Sequence, residues 1–489
     1  MTDSISRRPA TVGVPLALRA ESSAQACFIC DEAILRRLGI DLAHPGVMPF
    51  SVPPEQPPGP FLDIHAGDWE TSAMLAFDPD GAGWPDPPQT PTQPREMKMK
   101  TQVAIIGAGP AGLFLAHLLK RHGIESVVLE SRSRAYVEAR VRAGVLESGT
   151  IDTLNNLGLG ERMMREGLVD NGLDMRFRGR TIHLDLPGLT GRSVKIYGQQ
   201  EVVKDLIGAR VAEGDPLIFD AEVVRIEGPE TASPRVHYEH EGVARTLDCT
   251  FVVGCDGFHG ISRAAVPEGV ITTYTRNYDF AWLGVLVKAP PIPDMTYTNH
   301  DRGFALCSRR SMSISRLYLQ VPASDRPENW SDAQIWDELH TRMFDTDRTE
   351  VKEGEIFQRD MAQLRAFIAS PMQYGNLFLA GDAVHIVPPT GAKGMNMAVA
   401  DARVLARGMA AYFSGGSRAG LDRYSEECGL RVWKTIRYSS YMTGLLHRFN
   451  EHSPFDRGMQ LTELEFISQS EAAQRTIAEQ YVKLSDVAD

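Results

Sequence analysis

The stretch that decides the fold is Thr101-Gln102-Val103-Ala104-Ile105-Ile106-Gly107-Ala108-Gly109-Pro110-Ala111-Gly112. Its first half is apolar and β-branched, as a strand buried on both faces of a parallel sheet must be, and three glycines follow at once. Residues 113–122 then read as a helix closed by Gly123, and residues 126–129 as a second strand ending in Glu130. Each glycine has its own task in such a unit. Gly107 makes the tight turn, Gly109 lets backbone approach a pyrophosphate, and Gly112 lets the helix pack on the strand. Glu130 stands 18 residues beyond Gly112, where a carboxylate accepts hydrogen bonds from a ribose. The glycines alone are a weak signal. With strand, helix and acid in order they predict a dinucleotide-binding unit, for FAD or a nicotinamide.

Two later segments decide which dinucleotide. Phe251-Val252-Val253-Gly254-Cys255-Asp256-Gly257 is a strand running into an Asp-Gly turn, with His259, Ser262 and Arg263 close behind. Leu377-Phe378-Leu379-Ala380-Gly381-Asp382-Ala383 is another strand ending in Gly-Asp, and it leads to Pro388-Pro389-Thr390-Gly391-Ala392-Lys393-Gly394-Met395-Asn396. In this order the three motifs resemble those of the single-component flavoprotein aromatic hydroxylases. The strings Arg142-Ala143-Gly144-Val145-Leu146-Glu147, 255–263, Arg302-Gly303-Phe304-Ala305-Leu306-Cys307-Ser308 and 385–394 carry the resemblance from Met99 to about Leu484, about four fifths of the chain.

The resemblance implies an α/β (α+β) architecture. A Rossmann-like FAD-binding domain over 99–270 is followed by an interleaved mixed and antiparallel sheet for substrate over 271–386, then by a flavin-contacting loop and C-terminal helical region over 387–489. It implies FAD held by Gly107, Gly109, Gly112, Glu130, Arg142, Gln199, Asp382, Thr390, Gly391 and Asn396. It places NADPH, or NADH in its stead, near Arg132, Tyr136, Arg140, His259 and Arg365. A phosphate needs cations, so Arg132 and Arg134 behind Ser131 favour NADPH. The implied reaction is hydroxylation of a hydroxylated benzoate by O2 through a flavin C4a-hydroperoxide, most narrowly 4-hydroxybenzoate to 3,4-dihydroxybenzoate, in a homodimer. The same chemistry on another hydroxy- or aminobenzoate is the nearest alternative. A flavoprotein reductase of a prenyl-type substrate, or a non-catalytic binding protein on the same fold, shares the FAD motifs but does not need the cluster described next.

Composition turns β-branched and aromatic from about Ile271 to Val321, which predicts a sheet over the active site. Residues 304–310 and 314–321, separated by Ser311-Met312-Ser313, predict an antiparallel hairpin. Alternation along strands puts Ser308 and Arg310 on one face of the first and Arg316 and Tyr318 on one face of the second. Two cations and two hydroxyls facing one another make an anion site. Arg310 can grip a carboxylate with two parallel hydrogen bonds, while Ser308 and Tyr318 donate to its remaining lone pairs. By resemblance, Ser308, Arg310 and Tyr318 hold the substrate carboxylate and Arg316 lies near flavin and pocket. Also by resemblance, Tyr297 and Tyr481 form a hydrogen-bond chain to the substrate phenol and the Pro389 carbonyl faces it. Such a chain favours phenolate, the electron-rich form that electrophilic attack needs. Residues 395–413 read as a long helix whose N-terminus stabilises negative charge on a reduced flavin. In one departure, Asp170 stands where the family's proton relay ends in histidine. It is either a proton carrier with a different pH response or an exposed loop residue with no role.

The chain has 489 residues, with 51 Lys and Arg against 63 Asp and Glu, a net charge of −12. That balance argues against a nucleic-acid or anionic-membrane binder, both of which need a cationic face. No uncharged apolar run reaches the roughly 18 residues of a membrane helix. Six scattered cysteines suit a reducing cytoplasm, and no metal set stands out.

Fifteen of the 30 prolines fall in residues 1–98, which also hold 7 basic and 13 acidic residues. Runs such as Pro53-Pro54 and Pro87-Pro88 stop both helix and sheet, so 41–96 is expected as extended linker or disorder. Residues 24–38 could make one short amphipathic helix but have no core to pack on, and the acidic extension 1–98 is expected to have no fold of its own. Arg7-Arg8 and the apolar stretch to Leu18 look like an export signal, but the run is short, holds Gly13 and Pro15, and meets Arg19 and Glu21. Cys27 and Cys30 have CxxC spacing without a second pair for zinc or a preceding strand for redox chemistry, and read as incidental thiols.

Overall fold

The computed structural model describes residues 16–18, 25–27, 97–142, 144–344 and 351–484. It divides into two units, Met1–Pro87 and Pro88–Asp489. In the first, Leu16–Leu18 and Gln25–Cys27 pair as antiparallel strands. The described residues of 24–38, Gln25–Cys27, therefore take a strand partner rather than a helical turn. The rest of that segment, Cys30, the Arg7-Arg8 region and the 41–96 linker lie outside the described residues.

In the second unit, six strands lie in the order Leu217–Ile218, Ser126–Leu129, Val103–Ile106, Phe251–Gly254, Leu377–Leu379, Gln373–Tyr374. The first five run parallel. All four residues of Val103–Ile106, of Ser126–Leu129 and of Phe251–Gly254 are buried, which is why these runs carry no polar alternation. Helix Pro110–Arg121 starts inside the glycine motif, three residues before the hydrophobic periodicity begins, because Pro110 at its first turn gives up an amide that has no intrahelical partner there. It packs on the long helix Gly394–Gly415. Gly107 has φ +105°, and a Cβ on it would lie 2.4 Å from the Cys255 carbonyl oxygen. A Cβ on Gly112 would lie 2.1 Å from the Gly107 carbonyl oxygen, so strand and helix meet at backbone distance.

A second sheet joins Ala221–Glu227, Arg235–His240, Val243–Asp248 and Met97–Lys100, the last running parallel to Val243–Asp248. The resemblance starts at Met99, yet the strand starts at Met97, whose register partner is Arg245.

The third sheet has eight strands in the order His385–Ile386, Glu355–Ser370, Thr272–Lys288, Ser315–Pro322, Ala305–Arg309, Met295–Asn299, Gly172–Phe177, Arg180–Asp185. It therefore draws a hairpin from well upstream of Ile271. Alternation sorts its two faces. Ala281, Leu283, Val285, Cys307, Leu317 and Leu319 pack with Ile335, Trp336 and Leu339 of helix Asp332–Arg342. Phe280, Trp282, Tyr297, Leu306 and Tyr318 face Tyr438, Leu464 and Tyr481 of the C-terminal helices Tyr424–Leu446, Pro454–Gln469 and Glu471–Lys483. Fully burying one such large apolar side chain stabilises the fold by about 1.5–3 kcal/mol. The α/β (α+β) reading with its helical C-terminal region holds. No helix among the described residues is long and apolar enough to cross a membrane.

Candidate active site

The carboxyl ends of the parallel strands bring Gly107, Glu130, Asp256 and Asp382 to one side of the first sheet, the side where open α/β sheets bind ligands. Glu130 accepts from the Ala108 amide through Oε2 (2.8 Å) and from the Arg132 amide through Oε1 (2.9 Å), so the acid ties the glycine loop to the turn after the second strand. Space opens at Gly109, where an added Cβ would meet nothing within 4 Å. Gly109 caps helix Pro110–Arg121 without a side-chain hydrogen bond, leaving first-turn amides for an anion. Asp382 is exposed in the turn Gly381–Ala383. Gln199 opens helix Gln199–Ala212, and Arg142 is exposed in the loop before Val145–Leu146. Although Arg142 is exposed as a residue, packing around its guanidinium and the charge of neighbouring Arg140 lower its pKa. Open room at Gly109, uncapped amides and these polar groups fit a flavin dinucleotide.

Beneath the turn lies a buried network that sequence reasoning missed. Asp401 is wholly buried and accepts from the Gly381 amide (3.1 Å) and, at 2.6 Å each, from His385 Nε2 and Arg431 Nη2. Burial pushes its carboxyl up, but the charges and hydrogen bonds of His385 and Arg431 prevail and hold it below the usual range. The network fixes Gly381 at φ +62° and so aims Asp382 outward.

The loop 388–396 is clamped from several sides. Asn396 accepts from the Glu147 amide (3.0 Å) and the Thr150 hydroxyl (2.8 Å), and donates to the Val145 carbonyl (2.9 Å). Its side chain thus holds the loop to 145–150. Lys393 Nζ pairs with Glu147 (2.8 Å) and donates to the Tyr481 carbonyl (2.6 Å), all inside the protein. The Thr390 hydroxyl meets that of Thr443 at 2.9 Å. At Gly391 a Cβ would fall 2.6 Å from Ser439 Oγ, so the loop sits directly on helix Tyr424–Leu446.

On the third sheet, register puts the residues expected to bind substrate into two adjacent rows of one face. Tyr297, Leu306, Tyr318, Gly284 and Asp360 lie opposite one another across five strands. Ser308, Arg316 and Leu286 form the next row, and Arg310 follows Ser308 by two residues. Arg316 Nη2 pairs with Asp360 (2.9 Å), while its Nε and Nη1 and Asp360 Oδ1 are buried with no hydrogen-bond partner. Burial and Arg316 lower Arg310 to about 10. Burial pushes the Tyr318 hydroxyl up. Ser308 donates to the Arg316 carbonyl at 3.2 Å, and Arg310 donates to the Arg142 carbonyl. Gly284 is what makes this compact. A Cβ there would lie 2.3 Å from Asp360 Oδ1 and 2.8 Å from the Tyr318 ring. Asp360 was missed because it stands in a different strand, 44 residues from Arg316.

Tyr297 is buried and donates to the Thr390 carbonyl (2.9 Å), and Tyr481 donates to Met295 Sδ (3.1 Å). Burial pushes both hydroxyls up, and the two tyrosines also act on one another. The Pro389 carbonyl accepts from the Ala392 amide (2.9 Å). Asp170 is not an exposed loop residue: it ends strand Leu168–Asp170, its side chain is 2% exposed, and Arg309 Nη2 lies 2.7 Å from its Oδ1. Burial lifts its carboxyl to about 6 even with Arg309 opposing.

The residues expected near the nicotinamide fall into separate groups. The Arg132 guanidinium lies 5.5 Å over the Tyr136 ring on the surface. Arg365 sits 3.9 Å over Phe258, whose ring is met edge-on by His259 at 4.9 Å. Arg140 stands beside Arg142 and acts on its charge.

A family model described as "FAD binding domain" matches residues 100–439. The p-hydroxybenzoate hydroxylase of Acinetobacter baylyi is 46% identical over 388 residues, covering 79% of this chain and 96% of its own length. A 3-(3-hydroxy-phenyl)propionate/3-hydroxycinnamic acid hydroxylase of Mycobacterium avium is 27% identical over 358 residues, 68% of this chain and 59% of that one. Among solved structures, p-nitrophenol 4-monooxygenase from Pseudomonas putida DLL-E4 superposes with a TM-score of 0.66 at 18% identity, over 79% of this chain and 98% of that chain, a likeness of fold.

Proposed function

This chain belongs to the family of FAD-binding aromatic hydroxylases that includes p-hydroxybenzoate hydroxylase, and from that premise we propose that it converts 4-hydroxybenzoate to 3,4-dihydroxybenzoate with FAD, NADPH and O2. The observation that carries the substrate is the sheet face itself. Arg310, Arg316, Ser308 and Tyr318 supply a cationic, hydroxyl-bearing end with unused guanidinium donors. Tyr297 stands two strands from Tyr318 in the same row, roughly 10 Å away at ordinary strand spacing. One benzene ring with a carboxylate and a hydroxyl at opposite ends fits that span.

Each group then has a task. Arg310 and Ser308 bind and orient the carboxylate, and Arg316 adds positive charge that Asp360 partly offsets. Tyr297 holds the phenolic oxygen in a pocket too dry for water to solvate phenolate, so its hydroxyl decides the ionisation of the ring. Gly107, Gly109, Gly112, Glu130, Arg142, Gln199, Asp382, Thr390, Gly391 and Asn396 are the proposed FAD contacts, Asn396 acting through the loop it holds. FAD, when bound, supplies the redox chemistry that activates O2 for transfer to the ring. The N-terminus of helix Gly394–Gly415 places about half a positive charge beside that loop. His259 and Arg365, joined through Phe258, and Arg132 with Tyr136 and Arg140 are the proposed nicotinamide contacts. A homodimer and a cytoplasmic setting complete the reading, the latter supported by the buried free cysteines Cys249, Cys255, Cys307 and Cys428 among the described residues.

The test is NADPH oxidation by the FAD-loaded protein with and without 4-hydroxybenzoate, with the product identified chromatographically. Strong stimulation and stoichiometric 3,4-dihydroxybenzoate are expected. If no hydroxybenzoate stimulates oxidation, the reading fails.

A further inference from the structure

His447 follows the last residue of helix Tyr424–Leu446 and is wholly buried against the sheet face that carries Tyr297 and Tyr318. Its ring belongs to a stack, with centroids 4.2 Å from Phe304, 4.8 Å from Phe280 and 5.7 Å from Trp282, and lies within 20° of parallel to each. Burial lowers its pKa to about 3, so the ring is neutral and offers one donor and one acceptor. The indole of Trp282 can only donate, and its Nε1 meets His447 Nε2 at 2.7 Å, so Nε2 is the acceptor. Nδ1 therefore carries the hydrogen and donates to the Thr443 carbonyl at 3.0 Å. One nitrogen is committed to the sheet and the other to the helix. A tryptophan ring turns broadly about its outer torsion unless a contact fixes it, and a hydrogen bond from its N–H in a dry core does so.

Contacts lead from this imidazole to both ends of the substrate pocket. Trp282 lies 5.0 Å from the Tyr318 ring and stands two residues before Gly284, the register partner of Tyr318. In the other direction, Thr443 gives its hydroxyl hydrogen to the Ser439 carbonyl (2.7 Å) and so accepts from the Thr390 hydroxyl (2.9 Å). The Thr390 carbonyl in turn accepts from Tyr297 (2.9 Å). Phe304 closes the circuit, 6.0 Å from Tyr297 on one side and 4.2 Å from His447 on the other. Hydrogen bonds and ring contacts thus run unbroken from the carboxylate end of the pocket to its phenol end, and His447 is where they meet.

We propose that His447 is a positioning residue that sets the distance between Tyr318 and Tyr297, and with it the length of aromatic acid that the pocket accepts. The proposal rests on the reading that the substrate spans those two tyrosines. Without His447 the indole N–H is stranded where water cannot replace its acceptor, so the ring turns and the Tyr318 ring packed on it moves too. Arg310 and Ser308 still take the carboxylate. Binding therefore survives, and discrimination by length is what is lost.

The test dialyses FAD-loaded protein to equilibrium against 4-hydroxybenzoate and, separately, against 4-hydroxyphenylacetate, which is one methylene longer. The ratio of the two Kd values is the readout. One methylene in a fitted pocket is worth roughly 10–200-fold, and the unmodified protein should favour 4-hydroxybenzoate within that range. His447→Asn keeps a donor near the place of Nδ1 but is too short to reach the indole, and should narrow the ratio by about fivefold or more. Trp282→Phe removes the donor and leaves His447 in place. It should narrow the ratio as much, and it carries the test if the Asn variant does not fold. His447→Gln brings a carbonyl oxygen to about the place of Nε2 and should keep the ratio within about twofold of the unmodified protein. A residue needed only to end its helix gives the reverse order, with Asn tolerated and Gln not. A smaller narrowing in the folded variants, a Gln variant as unselective as Trp282→Phe, or an unmodified protein that binds both acids alike overturns the proposal and leaves the proposed function standing. An unmodified protein that binds no 4-hydroxybenzoate overturns both.

Discussion

Arg310→Ala raises KM for 4-hydroxybenzoate by about a hundredfold or more and changes kcat far less. Arg310 lies in a cluster with Arg316 and Arg142, where burial and Arg316 already lower its pKa to about 10. A cation stored under that pressure gains most from an incoming carboxylate. Truncating one partner of such a desolvated charge pair costs about 2–5 kcal/mol, and about 2.7 kcal/mol is a hundredfold in affinity. Arg310→Lys keeps the charge but loses the two-pronged grip, and should fall between. Steady-state kinetics on protein checked for full FAD content reads the effect. That check matters because Arg310 also donates to the Arg142 carbonyl. A KM within a few fold of the unmodified protein places the carboxylate elsewhere.

Asp401→Ala destabilises the protein by about 3–5 kcal/mol, the cost of removing one partner from a buried ionic network. His385 is 2% exposed and Arg431 7% exposed, and Asp401 is the carboxylate they share. Without it, Arg431 Nη2 keeps only Cys428 Sγ at 3.0 Å, and the Gly381 amide loses its acceptor. The midpoint of urea unfolding should fall accordingly. Because the network holds the turn that aims Asp382, FAD should also dissociate faster from the variant. An unchanged midpoint refutes the argument, whatever happens to activity.

The parts that the sequence discloses are those written in local pattern. Residues 101–130 spell strand, turn, helix, strand and acid within one short stretch, and the structure differs chiefly in starting the helix at Pro110. The hairpin carrying Ser308 and Arg316 follows from alternation, and its register sets those two residues directly opposite one another. Asp360, Arg309 and Asp401 were invisible because each matters through a partner brought near only by tertiary folding. Asp360 reaches Arg316 across a strand and past a glycine, Arg309 points to the opposite face from Arg310, and Asp401 sits inside an apolar helix that reads as core. Asp170 could be located but not weighed, since burial decides whether a carboxylate is inert or poised.

The four-residue strand Met97–Lys100 has a consequence for how this chain behaves in company. Val243–Asp248 is hydrogen-bonded on one side by Arg235–His240 and on the other by Met97–Lys100. A chain trimmed to Met99 keeps the glycine motif and every residue assigned to substrate, yet gives up the pairing of Met97 and Lys98 with Arg245 and Thr246. Met97–Lys100 is the sheet's edge strand, so trimming moves part of that edge onto Arg245 and Thr246, and an exposed edge recruits strands from neighbouring molecules. Trimming there should thus spare turnover in dilute solution and show itself as aggregation that grows with protein concentration.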